Sequence, residues 1–201
     1  LFLMLALTTA FSHTPVAAEQ GKNNRKEAET KQNELSAFGI QICDATTKGI
    51  KETLKILNLE FGLRLQMDDK QLQESGLPLD EAIKQNETMI NTLAADANVE
   101  ETKPDNCKVS NISDTTCEEI YKKSTAEGAF GVKAEPEKII GAGKAMKISD
   151  CGLISIVASV KDIKQPVDFA AAKINGKWAI IAGFTTPASQ DDSKQDSGQK
   201  P

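Results

Sequence analysis

The stretch that decides the fold is Val167–Phe184, VDFAAAKINGKWAIIAGF. Its centre, Asn175-Gly176, is a dipeptide favoured in type I′ turns, because both central residues of that turn need a positive φ. The flanking runs are rich in β-branched, aromatic and small apolar residues and read as two strands, Val167–Ile174 and Lys177–Phe184. A two-residue turn fixes the register, so Lys173 faces Trp178 and Ala171 faces Ile180. Side chains alternate across a strand, which puts Phe169, Ala171, Trp178 and Ile180 on one face, the core face.

Upstream of that hairpin, Lys144–Ser149 and Leu153–Val160 read as two further strands joined through Asp150-Cys151-Gly152. The earlier part of the chain reads as helices. From Leu35 to Leu57, Cys43, Ile50, Leu54 and Leu57 fall at helical spacings, helped by Ala37 and Ile40. This is one amphipathic helix, weakened at Gly49 by about 1 kcal/mol relative to Ala. Residues 79–97 form a second, with Ala82, Ile83, Ile90, Leu93, Ala94 and Ala97 as its apolar stripe. Pro78 lies just before it, and Asp80 and Glu81 suit the positive end of its dipole. Thr115-Thr116-Cys117-Glu118 has the form of a capping box and opens a short third helix to about Ser124. The polar segment 98–113, with Pro104 and Cys107, reads as a loop.

Asn58 to Met67 changes period. Leu59, Phe61, Leu63, Leu65 and Met67 alternate with Asn58, Glu60, Gly62, Arg64 and Gln66, which favours a half-buried strand. Phe61 also continues the series Ile50, Leu54, Leu57, which leaves a longer helix as the alternative. Asp68-Asp69 ends either one. Helices first and an antiparallel meander last define an α+β class.

The two ends differ from the middle. Residues 1–11, LFLMLALTTAF, are apolar and uncharged, too short for a bilayer span but of the length of a signal-peptide h-region. Pro15 and Val16-Ala17-Ala18 follow, and small residues before a cut place cleavage between Ala18 and Glu19. Residues 19–34 are a polar lead-in, either flexible or the solvated start of a helix. After Pro187, residues 188–201 read as a disordered tail. The expected organisation is a signal peptide at 1–18, the lead-in at 19–34, one α+β domain at 35–187 and the tail. No transmembrane segment is expected after signal cleavage.

His13, inside the signal segment, is the only histidine, so the mature chain has no imidazole for general-base or metal chemistry. The net charge of -5, with lysines spread along the chain, offers no basic stripe for nucleic acid. One Trp and one Tyr leave few platforms for bases or sugars. Cys43, Cys107, Cys117 and Cys151 are even in number in an exported chain and read as two disulfides. Four cysteines allow three pairings. Cys43–Cys107 with Cys117–Cys151 is the first choice, and Cys107–Cys117 with Cys43–Cys151 is its rival. Such bridges imply a periplasmic or extracellular home.

The ending from Val167 through the turn to KWAIIAGF resembles the closing hairpin of nuclear transport factor two-like and cystatin-like α+β rolls, over about residues 140–185. The resemblance implies a curved antiparallel sheet that wraps a helix and often encloses a pocket. The cystatin inhibitor loop, Q-x-V-x-G, is not present. Enzymes of these rolls use a pocket His or Asp, and with no His in the mature chain no functional residue carries over.

Candidate chemistry is sparse. Asp68, Asp69, Asp80 and Glu81 lack the spacing of a calcium loop and read as an acidic turn. Glu118, Glu119, Tyr121 and Asp150 could serve as acid–base groups only if they converge in a cleft. Gly141-Ala142-Gly143-Lys144 lacks the first Gly of a P-loop and is followed by Ala145, so it reads as a turn into a strand. Asn86-Glu87-Thr88 and Asn111-Ile112-Ser113 match the glycosylation sequon. Neither a catalytic nor a metal site is assigned, and no cofactor is implied. The expectation is a binding module for an extracytoplasmic protein partner or a small apolar ligand. Its alternatives are a His-free hydrolase using carboxylates or a Ser/Lys pair, and a structural envelope component.

Overall fold

The computed structural model describes residues 16–67, 69–74, 76–96, 103–129 and 131–185. Five helices come first: α1 (Val16–Lys48), α2 (Ile50–Leu54), α3 (Leu59–Gln66), α4 (Asp69–Glu74) and α5 (Leu79–Asp96). Strand β1 (Asn106–Asp114) follows, then α6 (Cys117–Glu127) and α7 (Pro136–Ala145). The chain then forms β2 (Ile148–Val160), β3 (Ile163–Ile174) and β4 (Lys177–Thr185). The strands make one antiparallel sheet in the order β1-β2-β3-β4, so the α+β meander stands, with a helical pair inserted after its first strand.

Helix α1 packs one face of the sheet through Leu35, Phe38, Ile42 and Cys43 against Ile154, Ile156, Ala171 and Ile180. The other face meets α3, α6 and α7 through Phe61, Leu65, Ile120, Ile139 and Met146. The central strands are therefore buried on both sides, and Ala170, Ala171, Ala172, Ile180, Ile181 and Ala182 are all inaccessible to solvent. The hairpin holds the register its turn dictates: Lys173 pairs with Trp178 and Ala171 with Ile180, with Asn175 and Gly176 both at positive φ. Phe169, Ala171, Trp178 and Ile180 share the face towards α1. At the β4 edge, the Asn58 amide donates to the Ile180 carbonyl at 2.7 Å and the Ile180 amide to the Ile56 carbonyl at 2.9 Å.

Disulfides join Cys43 to Cys107, tying α1 to β1, and Cys117 to Cys151, tying α6 to β2.

Several local expectations are corrected. Within 58–67 the chain is helical from Leu59 to Gln66, not a strand. The Asn58 side chain accepts from the Phe61 amide and starts α3. Phe61 and Leu65 face the sheet core while Leu63 and Met67 face α5, so two i,i+4 pairs offset by two residues imitate a strand's alternation. The long first helix breaks at Gly49, whose φ of 109° lies outside helical space, and α2 restarts beyond it. Part of the supposed loop 98–113 is β1, an edge strand with one half-buried face, on which Cys107, Val109 and Ile112 turn to α1. Residues 97–102 lie outside the described residues.

Residues 141–145 are helical, not a turn into a strand, because Ile139, Ala142 and Met146 pack into the core and Pro136 opens the helix. Asp150-Cys151-Gly152 is not a junction but part of a continuous β2, with a bulge between Ile148 and Asp150. The capping box stands one residue later than read: Thr116 is the N-cap and Glu119 its N3 partner. Residues 19–34 are helical and belong to α1, with 25–30 exposed and Lys31 and Glu34 half-buried, and the expected cut between Ala18 and Glu19 falls in its first turns. Residues 1–15 of the expected signal peptide, the last two residues of the expected domain and the expected tail at 188–201 lie outside the described residues. No helix among the described residues is long and apolar enough to cross a membrane.

Candidate functional site

The stripe Leu35, Phe38, Ile42 that docks α1 continues backwards at helical spacing to Lys31 and Glu34. Those two side chains therefore reach the sheet although they lie in the polar lead-in. Lys31 Nζ sits 2.5 Å from Asp114 Oδ1 at the end of β1 and 2.7 Å from Asp150 Oδ1 near the start of β2. Its third near neighbour is the Thr115 carbonyl at 3.5 Å. Glu34 Oε2 accepts from Lys173 Nζ at 2.6 Å and from the Trp178 indole N–H at 2.9 Å. The hairpin turn supplies this second cluster, since Lys173 and Trp178 are its cross-strand pair.

These groups line an open cleft of about 290 Å³ between α1 and the sheet, bounded by Lys26, Glu27, Thr30, Lys31, Glu34, Asp150 and Lys173. Its electrostatics fix charge in place. The hydrogen bonds from Lys173 and then Trp178 hold the Glu34 carboxyl below the usual carboxylate range. Burial pulls the Lys31 ammonium down, but its hydrogen bonds to Asp114 and Asp150, with their charge, outweigh that and raise it. A general acid needs its carboxyl raised, and a nucleophilic lysine needs its ammonium lowered. Both shifts here run the other way.

Of the four acid–base candidates, only Asp150 enters the cleft. Glu119 closes the α6 capping box, accepting from the Thr116 amide at 2.9 Å, and that bond with those of the Thr115 and Thr116 hydroxyls lowers its pKa. Glu118 pairs on the surface with Lys122 at 2.9 Å. Tyr121 lies against Gly143 of α7, and burial pushes its phenol up. For a Ser/Lys pair, Ser149 lies beside Lys173, yet its hydroxyl donates to the Lys173 carbonyl at 3.2 Å. Asp80 and Glu81 stand in the first turn of α5. Among the described residues no cluster of His, Cys, Asp and Glu is arranged to hold a metal ion.

Lys31, Glu34, Lys173 and Asp114 were not singled out from the sequence as site residues. The helical continuation of the Leu35 stripe was the signal that could have found the first two. Comparisons with protein-family models, with curated proteins and with solved structures found no match.

Proposed function

We propose that this protein is an exported, non-catalytic binding module that takes a polar, charged ligand in the cleft between α1 and the sheet. The observation that carries the reading is the ion-paired lining: Lys31 lies between Asp114 and Asp150, and Glu34 accepts from Lys173 and Trp178, an arrangement that favours the ionised forms and suits electrostatic recognition. Of the two occupants expected from the sequence, a small apolar molecule does not suit this charged lining. The two disulfides support an oxidising compartment.

Native mass spectrometry of the protein taken from its own source, before and after reduction, tests the reading. The expected result is a retained non-covalent ligand and a gain of four hydrogens on reduction, two for each bridge. Hydrolytic turnover that disappears in Asp150→Asn would overturn it.

A further inference from the structure

The hydrogen-bond valences left open in the cleft point to a class of ligand. An ammonium has three N–H donors and a carboxylate about four acceptor sites. Lys31 is saturated by Asp114, Asp150 and the Thr115 carbonyl. Lys173 is not: among the described residues its one hydrogen bond goes to Glu34 Oε2, and its ammonium also lies 5.8 Å from the centre of the Trp178 ring, which still leaves donor capacity towards the cleft. Glu34 uses Oε2 for both its bonds and keeps Oε1 free among the described residues. Asp150 takes Lys31 and the Cys151 amide on Oδ1 and keeps Oδ2 free in the same sense. Lys26 and Glu27, one turn before Lys31, add an exposed ammonium and an exposed carboxylate at the rim. The cleft thus offers donors and acceptors of full charge side by side. A simple anion or a simple cation would answer only half of them and would meet like charge in the other half.

We infer that the cleft binds a small zwitterion, an amino acid or short peptide, whose carboxylate meets Lys173 and Lys26 and whose ammonium meets Glu34 and Asp150. This rests on the reading of the cleft as the binding site and names its ligand class. Charge-assisted hydrogen bonds at both ends supply the affinity. The volume of about 290 Å³ accommodates an amino acid or a di- or tripeptide.

Trp178 is the only tryptophan of the chain, and its indole N–H donates to Glu34 within the cluster, so it reports occupancy without labelling. The folded protein would be titrated with glycine, diglycine and triglycine at constant ionic strength while the indole resonance and fluorescence are followed. Acetate, ethylammonium and diglycine blocked at both ends serve as controls. The expected result is a saturable indole shift with at least one zwitterion and none with the controls. Lys173→Gln should weaken binding about tenfold or more. Lys26→Ala, at an exposed position, should weaken it less. The length of the best peptide separates a free amino acid from a peptide as the ligand.

An indole that shifts equally with acetate, or with no zwitterion at all, would overturn the inference. The binding reading fails separately, since native mass spectrometry would then show no retained ligand of any kind. A retained ligand lacking one of the two charges would sink the zwitterion and leave the binding module standing.

Discussion

Leu35 of α1 occupies the space in which a β-carbon on Gly152 of β2 would stand, its Cδ1 lying 2.6 Å from that position. Leu35 is itself fully buried, so it cannot swing aside into solvent. The close approach of helix and sheet at this point depends on the missing side chain. Gly152→Ala should destabilise the protein by about 1–3 kcal/mol, the usual cost of overpacking a filled core. Urea unfolding measures it. An unchanged midpoint would mean that α1 is less firmly seated than its contacts with Ile154 and Ile156 imply.

Lys31 stands where three elements meet, with only 17% of its side chain exposed. Lys31→Met keeps the aliphatic stem but leaves Asp114 and Asp150 without their cation. The variant should lose about 1–3 kcal/mol, and Lys31→Arg should recover part of it. The ammonium is raised above its ordinary value in the fold. Its contribution is therefore complete below the unfolded-state pKa and disappears as the pH climbs through the folded-state value. Wild type should show a strongly alkaline loss of stability that Lys31→Met does not share.

Glu34 runs in the opposite sense. Its carboxyl is held low, first by the hydrogen bond from Lys173 and then by that from Trp178. A lowered carboxyl stabilises above its unfolded-state pKa, and that contribution fades as the pH falls through the folded-state value. Wild type should weaken in acid below about pH 4.5, with the indole resonance of Trp178 moving over the same range. In Glu34→Gln the indole should lose that titration and the melting curve should be flatter with pH. A Trp178 resonance that titrates identically in both proteins would place the responsible carboxylate elsewhere.

The parts of the molecule that were legible in the sequence are those governed by local rules. The Asn175-Gly176 turn has a single comfortable geometry, and it fixed the pairing of Lys173 with Trp178 without help from the rest of the chain. The capping motif of α6 was legible to within one residue for the same reason. Period failed where an element is buried on two sides. Helix α3 lies between the sheet core and α5, so its two apolar faces sum to an alternation that a strand would also show. Strand β1 was hidden for the opposite reason, because its apolar face is only Cys107, Val109 and Ile112, each half-buried, and its other face shows polar residues. The cleft was invisible because its members come from α1, β2 and β3, and only tertiary packing brings Lys31 to Asp150 across more than a hundred residues.

Helix α1 is fastened to the sheet at two separate places, and each fastening should control its own stretch of helix. Cys43–Cys107 holds the C-terminal half on the start of β1, while Lys31 and Glu34 hold the region before Leu35 on the end of β1 and on β2, β3 and β4. Replacing Cys43 and Cys107 by Ala removes a cross-link spanning 64 residues, which should cost about 2–4 kcal/mol by releasing the unfolded chain. In the folded state it should also speed amide exchange between Phe38 and Lys48, leaving the turn around Lys31 and Glu34 protected. Lys31→Met should do the reverse, loosening residues 26–34 and sparing the helix near Cys43. Backbone amide exchange followed by NMR on both variants separates the two effects. If either change speeds exchange along the whole of α1 equally, the helix detaches as one unit and the two fastenings are not independent.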